Sequence, residues 1–425
     1  MKKPFSPNYH WCIFALCAAM FIISQFWRVS NAVVANELSH DLGLSPENLG
    51  LLGGAFFYSF CLAQLPMGPL LDRFGSRVVM SSLGCIGAAS AIVFALSNSG
   101  TMAILARAGL GVGMAAGLMG SYKIFTTWFP PHKFATLSGI MISLGNMGAI
   151  GATTPLALLS ETFGWRGAFL CMAIVTLLLA VTMYLVVRDH PHQQAGTLPP
   201  APPSMSDIFS GLRTVFGSSR FWRLAPLAFA SYGAMITVLG LWGGPYLMHT
   251  YGLSKTTASG ILLAIPVGAI CGAPLWGRWS DKLGRRKLLA LLVQGAMLLV
   301  FSSLAMGLKL PVWGLLLQCW LLGFTATAST LLYAQVKETF PLFIAGTALT
   351  ALNFFLMLGG AVFQHMMGII MGNWTPSITG ALPLVAYQWG FGVCAAMLAL
   401  ALIVYIGSKD TSPTPDRQRS RETDP

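Results

Sequence analysis

Twelve long apolar runs take up most of this chain. They fall at about 11–35, 48–71, 77–97, 101–128, 134–160, 166–188, 222–248, 256–277, 287–308, 311–337, 342–371 and 383–407. A helix needs about 20 mostly apolar residues to cross the hydrocarbon core of a bilayer, and it can satisfy its own backbone there. The runs therefore predict an all-α membrane protein with twelve spanning helices. Composition agrees, with 55% hydrophobic and only 9% charged residues. That leaves too little polar surface to cover a soluble globule. The first run is too long for the core of a cleavable leader. The net charge of +12 does not point to nucleic acid, because the basic residues lie between the apolar runs. An even number of spans puts both termini on one side. That side holds most of the Lys and Arg, whereas the other has Arg166, Lys255 and Lys309. Positive charge stays inside, so both termini are expected in the cytoplasm.

One polar loop occurs twice. Gly68-Pro-Leu-Leu-Asp72-Arg73-Phe-Gly75-Ser-Arg77 is answered 209 residues later by Gly277-Arg-Trp-Ser-Asp281-Lys282-Leu-Gly284-Arg285-Arg286. The first Gly would let helix ends approach closely, and the second would permit the turn. The Asp can accept from helix amides or from a basic neighbour. The repeat extends further. Gly43-Leu44-Ser45 matches Gly252-Leu253-Ser254, Tyr122 matches Tyr333, and Asn146 matches Asn353, at offsets of 209, 211 and 207. Two parallel six-helix bundles follow, at 1–188 and 222–408. A Pro-rich linker at 189–221, with Pro191, Pro199, Pro200, Pro202 and Pro203, joins them. The tail at 409–425 is polar and expected to be disordered. Parallel repeats place a substrate site near the midplane between them.

The doubled loop resembles the signature of the major facilitator superfamily of secondary transporters, through Gly68, Leu70, Asp72, Arg73, Gly75 and Arg77 and, in the second copy, Gly277, Asp281, Lys282, Gly284, Arg285 and Arg286. The resemblance covers nearly the whole chain and implies alternating access, with these loops as latches on the terminal side. The stretch around Arg28 is similar to helix 1 of organophosphate/phosphate antiporters, which carry a second Arg in helix 7. The matching position here is Thr237, so a two-Arg phosphate clamp is incomplete. Arg107-x-x-x-Gly111-x-Gly113 resembles the helix 4 motif linked to proton coupling; a structural Arg bonded to helix-end carbonyls is the other reading. Gly145-x-x-Gly148-x-x-Gly151 looks like a degenerate exporter motif, and simple close helix packing also explains it. Gly164-Trp165-Arg166 resembles the usual entry to helix 6.

Three charges fall inside the apolar runs, Arg28, Arg107 and Lys123, and all are positive. The 13 acidic residues all fall in loops, tails or helix ends. A lone buried charge costs several kcal/mol unless it is paired or faces water. An aqueous cavity that receives an anion resolves the imbalance. Arg28 shares a helix face with Ser24 and Asn31, and guanidinium suits carboxylate or phosphate. It lies about seven residues from the end of its run, so snorkelling is the alternative. Lys123 is either cavity-lining or snorkelling. Tyr122, Asn146, Thr237, Gln318, Tyr333, Asn353 and His365 are further candidates for the substrate site, with Gln64 and Gln335 behind them. His365 is either a packing residue or a proton relay.

The 8 cysteines show no metal spacing and no paired framework. No P-loop or other enzyme constellation stands out, so neither cofactor nor metal is expected. The expected protein is a monomeric carrier in the bacterial inner membrane, surrounded by lipid, for a small mono- or dicarboxylate-like anion. An exporter of drugs or of a polycarboxylate siderophore, and a non-transporting solute sensor, are the rival readings.

Overall fold

The computed structural model describes residues 9–130, 133–190, 205–377 and 381–411, and their regular structure is entirely helical. The first crossing is α1 (Tyr9–Val29) continued by α2 (Asn31–Leu42), and the second is α3 (Pro46–Gln64). α4 (Met67–Ala95) turns at Gly75 into the third. The fourth is α5 (Gly100–Met114) with α6 (Gly117–Trp128). α7 (Phe134–Gly151) and α8 (Thr154–Val186) make the fifth and sixth. α9 (Met205–Phe216) and α10 (Ser219–Trp222) precede the second half. The seventh crossing is α11 (Ala225–Thr237), a π turn (Val238–Trp242) and α12 (Gly243–Tyr251). The eighth is α13 (Lys255–Leu262) with α14 (Ala264–Leu283), and the ninth is α15 (Arg286–Ala305). The tenth is α16 (Val312–Ala326) with α17 (Ser329–Thr339). α18 (Leu342–Gly372) and α19 (Leu384–Ile406) complete the set.

Among the described residues, ten stretches are long and apolar enough to span a membrane. One of them, Thr136–Val186, has 51 residues, more than twice what a single crossing needs. It is broken at Gly164, whose φ of +69° is not helical. Dividing it there and adding α3 yields twelve crossings.

The internal repeat is written in backbone details. Gly43 and Gly252 end α2 and α12 in the left-handed conformation, and Ser45 and Ser254 cap the next helices through Asn48 N and Thr257 N. Gly75 (φ +78°) and Gly284 (φ +62°) make the two signature turns. Asp189 accepts from Arg77 N and Asp410 from Lys287 N, each at 2.9 Å, so the end of each half caps its third helix. Glycines then set how closely the helices pack. A methyl on Gly111 would lie 2.1 Å from Phe56 O, and one on Gly323 1.8 Å from Ile265 O. Gly148 sits likewise against Ile22 O (1.9 Å) and Gly359 against Phe229 O (2.1 Å). Within the Gly145–Gly151 run, close packing on a neighbouring backbone is therefore the work of Gly148.

The structure departs from several expectations. The first crossing runs on to Leu42, beyond the apolar run, because Asn31, Asn36, Glu37 and Ser39 lower the hydropathy without breaking the helix. Part of the linker is helical, in α9 and α10; 191–204, with its prolines, lies outside the described residues, as does the tail from 412. Gly68 and Gly277 have nothing within 4 Å of an added methyl, so neither makes the close approach expected of it.

On the side away from the termini the two halves are fastened together. Lys255 Nζ lies 2.5 Å from Glu37 Oε1, and the Thr256 hydroxyl donates to Glu161. Gly50 meets the backbone of Gly368, and Gly244 meets Ala32 O. Asp41 binds both Trp165 Nε1 (2.9 Å) and Arg166 Nη1 (2.7 Å), which anchors α2 to α8 within the first half.

Candidate functional site

Arg28 stands at the junction of the halves. The helix continues for fourteen residues past it, about 21 Å at about 1.5 Å per residue. It is buried (8% exposed), and its guanidinium lies over the Phe60 ring, 4.5 Å from the centroid. Among the described residues it makes no hydrogen bond or ion pair, and its Nε is buried without a partner. A cation–π contact compensates only partly for the lost water. Three residues on, Asn31 is fully buried with neither amide atom partnered. Ser24, expected on the same face, instead donates to Met114 O at 3.3 Å.

Tyr333 Oη donates to Asn353 Oδ1 at 3.0 Å. Tyr333 is also close enough to Arg28, Tyr232 and Tyr122 to interact electrostatically with each. Tyr333 thus links side chains of the first, fourth, seventh, tenth and eleventh crossings into one group. The half-buried rings of Tyr122 and Tyr232 pack against Phe134 and Phe57 respectively. The guanidinium offers a planar fork, and the phenols and the amide can donate and accept.

The other candidates lie elsewhere. Lys123 is tied to Asp72 Oδ1 and Leu71 O, each at 2.6 Å, so it belongs to the signature loop. Arg107 is fully buried behind the first crossing, where Nη1 donates to Trp27 O at 2.8 Å and the guanidinium covers Phe56. The first crossing is interrupted at Ser30, beside that carbonyl, so Arg107 serves a structural junction. Its repeat partner Gln318 bonds Ser303 Oγ at 2.8 Å and lines a small apolar cavity beside the π turn. Thr237 is fully buried and donates to Gly233 O within its own helix. Asn146 donates to Ile142 O, also locally. Gln64 donates to the freed carbonyl of Ala115, and Gln335 accepts from Tyr405 Oη. His365 packs against Gly54 and Tyr58, whereas its neighbour Gln364 turns inward to Gly53, Gly240 and Ile236 O. His365 and Arg28 are therefore not brought together.

In the signature loops, Arg77 Nε donates to Tyr184 O, Arg73 stacks on Phe74, and Arg286 pairs with Glu338 at 2.7 Å. Lys282 and Arg285 are exposed, and the side chain of Asp281 lies outside the described residues. Sequence reasoning missed Phe60, Tyr232 and Gln364. A Phe or Tyr in an apolar run looks like any core residue, and Gln364 has no polar counterpart in the first half to mark it.

The fold is that of a polytopic membrane protein whose helices repeat in two halves. The sequence profile of the Major Facilitator Superfamily matches residues 16–364, and the chain belongs to that family. It is 25% identical to the uncharacterized transporter YybO of Bacillus subtilis over 66% of this chain and 67% of that one. It is 25% identical to the probable L-galactonate transporter of Escherichia coli, over 58% of this chain and 55% of that one. The probable galactarate/D-glucarate transporter GudP of Bacillus subtilis is 26% identical over 95% of both chains. Among solved structures, a bacterial homologue of the human lysosomal transporter Spinster, inward-facing and unoccupied, superposes with a TM-score of 0.78 at 17% identity, over 94% of this chain and 97% of that one. The family and these relatives are transporters, not enzymes.

Proposed function

We propose that this chain moves a small organic anion across the bacterial inner membrane by alternating access, with Arg28 as the counter-charge of the site. The observation that carries the reading is the buried Arg28 guanidinium, which has no hydrogen bond or ion pair among the described residues, with Tyr333, itself bonded to Asn353, in electrostatic reach. Its cost is relieved when a carboxylate or similar group arrives. The organic acids in the names of the galactonate and galactarate/glucarate relatives support the same chemistry. An organic cation would be repelled, which disfavours export of cationic drugs.

In this reading the domains are the bundles 1–188 and 222–408, and both termini face the cytoplasm. The contacts that join the halves would then lie on the periplasmic side, which supports a state that opens towards the cytoplasm. The signature loops, Gly68–Arg77 and Gly277–Arg286, would engage the opposite half when the cytoplasmic side closes. Both halves of one chain contribute to the site, so a monomer suffices. The test is solute counterflow into vesicles reconstituted with the purified protein, wild type beside Arg28→Gln, using labelled organic acids and sugars. Saturable exchange of an acid that disappears in the variant is the expected outcome. Exchange of neutral sugars alone, or acid exchange indifferent to the variant, would overturn the reading.

A further inference from the structure

We infer that the site takes a monoanion, a hydroxylated acid with a single carboxylate, and discriminates against the dianion of the same carbon skeleton. The inference rests on the anion-carrier reading and narrows it. It comes from a census of charge around Arg28. Of the three cations within the apolar runs, Arg28 alone makes neither a hydrogen bond nor an ion pair among the described residues. Lys123 is neutralised by Asp72 at 2.6 Å and also held by Leu71 O. Arg107 is sealed behind the first crossing with no exposed surface.

Among the described residues the second half adds no cation beside Arg28. The repeat counterparts of Arg28, Lys123 and Arg107 are Thr237, Ala334 and Gln318, all neutral. Its basic residues lie at helix ends, as with Lys255 on Glu37 and Arg286 on Glu338. His365 packs beside Tyr58 on a different face of α18 from Gln364.

One carboxylate therefore meets its counter-charge, and the rest of the ligand meets neutral groups. The phenols of Tyr122, Tyr232 and Tyr333 and the amide of Asn353 suit hydroxyl groups, which both donate and accept. A second carboxylate would lose water against these groups without a cation to replace it. The neutral Thr237 has the same consequence for a phosphate dianion, which needs more than one positive partner.

The experiment compares acids of equal length and differing charge on the full-length detergent-purified protein at neutral pH. D-gluconate and L-galactonate are titrated against D-glucarate and galactarate, with thermal stabilisation as the readout. The expected result is half-saturation by the monoacids at concentrations at least about tenfold lower than by the diacids, with all stabilisation lost in Arg28→Gln. Asn353→Lys adds a second cation beside Tyr333 and should narrow or reverse the preference. Wild-type protein alone decides the matter if that variant fails to fold. Equal or tighter binding of the diacids, lost in Arg28→Gln, would overturn the monoanion inference and leave the anion-carrier reading intact. Stabilisation by no acid, or one indifferent to Arg28→Gln, would sink both.

Discussion

At Arg28, chemistry and cost coincide. The guanidinium is held by a ring, not by a carboxylate, so its hydrogen-bonding fork stays available. Phe60 is thus a positioning residue. Phe60→Leu keeps an apolar surface but removes the ring quadrupole, a loss of about 0.5–1 kcal/mol. Acid affinity should fall by about two- to fivefold, with counterflow retained at saturating solute. Arg28→Lys should lose more, because an ammonium cannot present the planar fork. The opposite case is Arg107, an equally buried Arg that spends its donor on Trp27 O. Arg107→Met removes the shorter of that carbonyl's two side-chain donors and leaves Ser30 Oγ at 3.4 Å, a cost of about 1–3 kcal/mol. Its signature is a lower melting temperature with solute affinity unchanged in the protein that folds. A change confined to proton dependence would instead return Arg107 to a coupling role.

At the scale of elements, glycine decides which helices can meet. Along α7, Gly148 is pressed to 1.9 Å of Ile22 O, whereas Gly151 has its nearest neighbour, Phe26, at 3.8 Å. Gly148→Ala should therefore destabilise by about 1–3 kcal/mol and Gly151→Ala hardly at all, read as melting temperatures in detergent. Equal effects would mean that helix propensity rather than packing governs this run. The Gly359 contact with Phe229 O predicts the same penalty for Gly359→Ala in the second half. Such pairs were visible in the sequence only as small residues. Which glycine touches a backbone depends on the rotation of each helix, and one-dimensional spacing does not contain it. The breaks are similar. Ser30 and the π turn Val238–Trp242 occupy matching places, but nothing in their residue types announces them.

For the whole molecule, the closed face is held by Lys255–Glu37 and Thr256–Glu161, across the halves. Glu37→Gln with Lys255→Ala should shift the population towards opening on that side. Spin labels at exposed Thr162 and Lys309 would report it as a longer distance, and an unchanged distance would count against this pair as a gate. Gly68 and Gly277 have open space around them here. Gly68→Ala should leave stability unchanged, and a transport defect in that variant would place its contacts in the other state. Twelve crossings, the doubling and the signature loops were all legible in the chain, because hydrophobic length and register are one-dimensional quantities. So was Arg28, because a charge in an apolar run stands out whatever the fold. Sequence alone could not sort the three cations. Lys123 finds Asp72 51 residues away, Arg107 finds Trp27 80 residues away, and Arg28 finds a ring and no counter-charge. Which buried charge stays unpaired depends on what the packed helices bring beside it, and only the tertiary structure decides that.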